Sequence, residues 1–127
     1  TNFSLHISCM QTGEELLGSP QKLDVTFPGN GETISFLANK QDSRPGILLL
    51  NGAIYLGFAY NTDDLPYRGW VLKYTYSRSS GFTSAGVWCS TPTPPADFEG
   101  GGIWQAGKGN LLCVSPFFFQ LTNFHLI

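Results

Sequence analysis

The chain has 127 residues, the length of one domain, with seven Lys and Arg against nine Asp and Glu, a net charge of −2 and only 13% charged residues. That balance argues against the basic surface that nucleic acid or an anionic membrane requires, and apolar runs such as Ile47 to Leu50 are far too short to cross a bilayer as a helix. Aromatic residues at 14%, together with 15 Gly and 8 Pro, favour strands and turns over helices and predict an all-β chain forming a single domain over residues 1–127.

In chain order, Phe3 to Met10 alternates Phe, Leu, Ile and Cys with polar residues, the period of two of a half-buried strand whose odd positions face a core. A turn at Gln11-Thr12-Gly13-Glu14 leads to an expected return strand over Glu15 to Leu17. Leu23, Val25 and Phe27 alternate with polar residues, Pro28-Gly29-Asn30-Gly31 turns the chain, and Thr33 to Leu37 alternates again, so two strands are expected to pair across a glycine-rich turn. Asn39 to Pro45 is polar with three charges and reads as a surface connection.

The most legible stretch follows. Ile47 to Leu50 ends in Asn51-Gly52, a pair that tolerates the positive φ angles of a tight hairpin. Ala53 to Tyr60 forms the next strand, a loop of turn formers (Asn61, Asp63, Asp64, Pro66) intervenes, and Trp70 to Tyr76 returns. After the Ser77 to Gly81 turn, Phe82 to Cys89 supplies a fourth strand. Residues 46–91 therefore predict one antiparallel four-stranded meander of the size of a β-propeller blade. A Pro/Gly linker over 92–102 breaks the sheet. Leu111 to Val114 reads as a further strand, and Phe117 to Ile127 completes an apolar C-terminal strand region, 111–127, that has to be covered by something.

Arg44-Pro45-Gly46 through Leu50-Asn51-Gly52, then Pro66-Tyr67-Arg68-Gly69-Trp70-Val71-Leu72, then Gly100-Gly101-Gly102-Ile103-Trp104-Gln105, resemble successive parts of the bacterial extracellular quinoprotein-like β-propellers built from pyrroloquinoline quinone (PQQ) repeats. Leu5 to Gly13 is similar to the strand and Thr-Gly turn of that repeat, and the resemblance covers about residues 5–110. It implies an extracellular or periplasmic location and, for some relatives, an oxidoreductase using PQQ and calcium. The family's residue before Gly-Trp is His where this chain has Arg68, and its quinone-dependent members carry an adjacent cysteine pair that this chain lacks. A closed propeller takes four or more blades, so one full blade with parts of two others implies an incomplete propeller, a small sandwich or an oligomer that closes the open edges.

Candidate chemistry is sparse. His6 and His125 lie at opposite ends, each without a nearby acid or nucleophile in sequence, so no catalytic triad is expected. Asp97 and Glu99 are two residues apart in a Pro/Gly loop, which does not set the carboxylate separation of a glycosidase. Asp63 and Asp64 offer hard oxygens but not the six to eight that calcium takes; a solvated acidic loop is the plainer reading. Tyr67, Arg68 and Trp70 surround one turn, and Trp88 and Trp104 flank the Pro/Gly linker. Aromatic faces beside a guanidinium suit sugars or flat ligands, and packing between sheets is the alternative. Gly100 to Gly102 is not followed by the Lys-Ser/Thr of a phosphate loop and reads as a place of close backbone approach. Asn2-Phe3-Ser4 is a glycosylation sequon at Asn2. Cys9, Cys89 and Cys113 lack metal-ligand spacing; one disulfide with a thiol left over and three reduced thiols are both compatible with an odd number.

The expectation is an extracellular β-protein that acts by binding or self-association, without a cofactor or catalytic centre that the residues support. Its partner would be a second copy or another protein meeting the apolar tail. The alternatives are a quinone-dependent oxidoreductase fragment and a carbohydrate-binding module using Trp70 or Trp104.

Overall fold

In a computed structural model the described residues are 2–29, 31–62, 67–92 and 100–104, with the strand backbones of 112–114 and 117–119. Among the described residues thirteen strands run in chain order: β1 Ser4–Leu5, β2 Gln21–Lys22, β3 Thr26–Pro28, β4 Thr33–Ser35, β5 Gln41–Asp42, β6 Leu48–Leu50, β7 Ala53–Tyr60, β8 Tyr67–Arg68, β9 Trp70–Ser77, β10 Gly81–Cys89, β11 Gly100–Gly101, β12 Leu112–Val114 and β13 Phe117–Phe119. One 3₁₀ turn, Ala38–Lys40, precedes β5, and among the described residues there is no α-helix. The protein is all-β, built mainly from antiparallel sheets that do not close into a barrel.

The main sheet is the meander the sequence predicts. β6, β7, β9 and β10 pair antiparallel in succession, and β5 adds to the free end of β7 beyond β6. Between β6 and β7 both turn residues have positive φ, 49° at Asn51 and 74° at Gly52, the type I′ geometry whose twist matches that of the flanking strands. Registers place Phe58, Trp70 and Cys89 in one row, and Leu56, Leu72 and Val87 in the next. Because side chains alternate across a strand, these rows share one face. They pack against a second layer from the N-terminal third, Leu5, Leu23, Val25, Ile34 and Phe36, to form the core. Phe36 sets its ring edge-on to both Phe58 and Trp70, at centroid distances of 4.9 and 5.6 Å, a favoured geometry for aromatic pairs.

The N-terminal layer follows the alternation but pairs differently from expectation. Even residues from Ser4 to Met10 are exposed, and Phe3, Leu5, Ile7 and Cys9 are buried or half-buried. β3 and β4 pair across the glycine-rich turn as expected. The return strand expected over Glu15 to Leu17 is reduced to a bridge between Ser8 and Glu15, and the partner of β1 is β2 instead. The reason lies in positions 18–20: Gly18, at φ 80°, turns the chain so that Gln21 and Lys22, rather than Leu17, continue the ladder. Asn39 to Pro45 also departs from a surface connection, since Gln41 is 6% exposed and pairs with Tyr60.

Tyr74, on β9, is buried in the core, and its phenol is pushed above its ordinary pKa, first by burial and then by the charge of Asp24. A folded-state pKa above the unfolded one gives stability that is intact below about pH 10 and declines as pH rises through the folded value. Tyr74→Phe should flatten that alkaline decline, as read by urea midpoints between pH 8 and 12. An unchanged slope would place the alkaline sensitivity elsewhere.

Candidate functional site

Where β7 ends and β9 begins, the two layers part and leave a cleft of about 180 Å³ lined by Ile34 and Leu37 from the N-terminal layer, by Gln41, Tyr60 and Trp70 from the main sheet and by Arg68 from β8, with Ser35 at its side. Local pairing explains each position. Asn61 donates its backbone N–H to Lys40 O at 2.9 Å and its side-chain amide to Asn39 O at 3.0 Å, pinning the 3₁₀ turn to the end of β7. Gln41 then faces Tyr60 in register, on the side of the sheet that meets the core.

Arg68 is held from the other side. β8 pairs in parallel with β11, an arrangement absent from the antiparallel expectation, and Gly69 lies between β8 and β9. A Cβ on Gly69 would run into the Gly101 carbonyl oxygen, so the glycine triplet is a close backbone approach, made here onto a second glycine. Ser90 ties the two together. Its hydroxyl accepts from Gly69 N–H at 2.9 Å and donates to Gly101 O, while its own N–H donates to Gly69 O at 2.9 Å. The Arg68 Nε–H donates to Thr91 O at 2.9 Å. That leaves the terminal guanidinium nitrogens with no partner among the described residues, where the ion pairs are His6–Glu15, Lys22–Asp24 and Arg44–Asp42.

Two buried polar atoms in this region also lack partners among the described residues, Gln41 Oε1 and Thr91 Oγ1. Tyr60 and Tyr67 lie with ring centroids 6.4 Å apart and planes inclined by 33°, and Lys40 Nζ stands 5.9 Å from the Tyr60 centroid. The cleft thus combines an aromatic wall and one cation, Arg68, with Lys40 over the Tyr60 ring nearby and the buried Gln41 oxygen behind its lining.

The residues singled out by sequence divide. Arg68 and Trp70 line the cleft, although Trp70 is only 1% exposed and serves mainly the core, and Tyr67 lies outside the lining with its ring near that of Tyr60. Trp104 lies apart, half exposed, with the Arg44 guanidinium 5.2 Å from its ring centroid and its indole against Gly102. Trp88 is half exposed on the face of the main sheet away from the core. Asn2 is exposed, and Asp63, Asp64, Asp97, Glu99, His125 and the side chains of the Phe-rich tail lie outside the described residues. Gln41, Tyr60, Ser90 and Thr91 carried no sequence signal, because their roles arise from pairing with distant segments.

Elsewhere, His6 does meet an acid. Its Nδ1 is 2.6 Å from Glu15 Oε1 across the first turn, and hydrogen bonding from His6 is the main cause that holds Glu15 below the usual carboxylate range. Both side chains are exposed, so the pair adds little to stability. Hydrogen bonds from Thr12 lower the thiol pKa of Cys9. Among the described residues no three His, Cys, Asp or Glu side chains gather as a metal-holding group. In comparisons with protein-family models, curated proteins and solved structures, no match to this chain was found.

Proposed function

We propose that this chain is an extracellular β-protein that acts by binding, and foremost by association with a second copy of itself through the edge of its main sheet. The observation that carries the reading is β10. It is nine residues long, Gly81–Cys89, contains no charged residue, and among the described residues has a strand on one side only. Half of a strand's backbone donors and acceptors point to each side, so an open edge of that length is a template for a further strand. Edge strands that avoid pairing carry lysine, proline or an inward charge; the sole such device on β10 is the bulge at Ala85, between the paired Ser84 and Gly86.

The far face of the same sheet points the same way. Leu48 and Ala53, which lie on that face by register, are buried at 2% and 4%, whereas Trp88, on the same face but at the β10 edge, is half exposed. The resemblance to quinoprotein-like propellers agrees with a unit completed by neighbours, since a blade in such a fold is covered on both faces. A twofold β10–β10 pairing would join two main sheets without leaving that edge open.

Light scattering from micromolar to millimolar protein tests this. The mass should rise toward a dimer or beyond, and Thr83→Lys with Ala85→Lys should hold the chain monomeric while its near-ultraviolet dichroism stays native. A wild-type chain that remains monomeric throughout would sink the reading.

A further inference from the structure

We propose that the apolar C-terminal segment of this chain, residues 105–127, folds back over the face of the main sheet that points away from the core, with the β12–β13 hairpin as the cover. The β10 edge stays open in this arrangement, so the cover forms whether or not two copies associate.

The far face is a second buried surface. Leu48, Ala53 and Ala59 lie on it by register and are 2%, 4% and 0% exposed, yet none of them belongs to the core cluster. Val71 and Tyr55, half-buried on the same face, extend it towards Trp88 at the β10 rim. Lys73 is the sole charged residue of β6, β7, β9 and β10. Its Nζ stands 5.7 Å from the Tyr55 ring centroid, so its stem runs along the face and adds to the apolar area.

The course of the chain leads onto this face. Ser90 pairs with Gly69 beyond the ends of β10 and β9, and Gly101 rests against both, its carbonyl accepting from the Ser90 hydroxyl. Ile103 then donates its N–H to Phe58 O at 3.3 Å, and Trp104 meets the Arg44 guanidinium at 5.2 Å from its ring centroid. Residues 100–104 thus form a strap that crosses the sheet from β10 towards β5 and hands the following residues to the same face.

Those residues need a surface. β12 and β13 pair antiparallel, and their residues, Leu112, Cys113, Val114, Phe117, Phe118 and Phe119, are all apolar, so the hairpin is apolar whichever way it is turned. A two-stranded hairpin is at best marginally stable in water and requires something to pack against. Residues 105–111 span up to about 23 Å at ~3.3 Å each, and the four strands of the meander are roughly 14 Å across at ~4.8 Å spacing. Every part of the face is within reach. Because Trp104 has already carried the chain away from β10, the hairpin meets the face before it can reach that edge.

The test is nuclear Overhauser spectroscopy on the full chain, dilute and uniformly ¹³C,¹⁵N-labelled. Val71 methyls and the Trp88 indole should show contacts to the rings of Phe117 to Phe119, and an isotope-filtered spectrum of labelled mixed with unlabelled chain should show none of them. Phe117→Ser with Phe119→Ser, which leaves both packed layers untouched, should abolish these contacts and move the Trp88 indole N–H resonance but not that of Trp70. Amide exchange over 112–119 should rise about tenfold or more in that variant, as for a segment that has lost its packing. Val71→Glu should release the hairpin from the sheet side with the same signature. Contacts from the hairpin to the β10 backbone alone, contacts seen only between differently labelled chains, or a Trp88 resonance indifferent to the tail substitutions would each overturn the proposal.

Discussion

Trp70→Ala should cost about 3–5 kcal/mol of folding stability, the range for emptying a large aromatic site in a core. Total stabilities of single domains are about 5–15 kcal/mol, so this one change removes a large share and lowers the urea midpoint accordingly. Trp70 is 1% exposed, stands between Phe58 and Cys89 across the sheet, and receives the edge of Phe36 from the opposite layer. Collapse around the void is resisted on both sides, because each neighbour belongs to a different strand. Trp88→Ala removes the same side chain from a half-exposed position on the far face and should cost well under half as much. Chemical denaturation of both variants is the measurement; equal losses would mean that Trp70 is not the centre of the core.

Gly69→Ala, at the junction between β8 and β9, should cost about 3 kcal/mol of stability. Alanine in place of glycine within a strand ordinarily gains a few tenths to about 1 kcal/mol through backbone entropy. Here the added methyl would meet the Gly101 carbonyl oxygen and come within 3.1 Å of Ile103 Cγ1. The obstructing oxygen belongs to backbone, which cannot swing aside as a flexible side chain does. Relief therefore requires β11 to leave β8, with loss of the hydrogen bonds through Ser90, each worth about 0.5–1.5 kcal/mol. The steric term wins over the entropic gain. Gly86→Ala is the internal control: its Cβ would meet only the Lys73 side chain, at 3.6 and 3.7 Å, and the change should be neutral or mildly stabilising. If both variants behave alike in thermal unfolding, the close approach of Gly69 to Gly101 is refuted.

The parts of this fold that could be read from sequence are those whose cause is local. Asn51-Gly52 announces a type I′ hairpin because only a few residue types accept two positive φ angles in a row. The alternation along Phe3 to Met10 announces its buried face because side chains project to opposite sides of a strand. Register between neighbouring strands of a meander then follows from short turns. Gln41 shows where such reading stops. In a polar stretch with three charges it looks solvated, and only its pairing with Tyr60, 19 positions later, buries it. The cleft is similarly non-local, since Ile34 and Leu37 reach it from the other layer. The parallel pairing of β8 with β11 joins residues more than thirty positions apart, and glycines carry no side-chain pattern to reveal it. Composition could suggest that Gly100 to Gly102 permits a close approach; it could not name Gly69 as the surface approached.

Gly18 and Gly81 meet backbone to backbone, such that a Cβ on Gly18 would stand 2.8 Å from Gly81 Cα. This contact sits at the end of β9 and start of β10, while the cleft opens at the other end of the same two strands. One end of this seam is therefore set by two residues with no side chain, the other by the rings of Phe36, Phe58 and Trp70, and with β9 eight residues long the two ends are roughly 25 Å apart. Backbone resting on backbone has no side chain that can turn aside, so the glycine corner acts as a fixed stop between the layers, whereas rings at the far end can settle against one another.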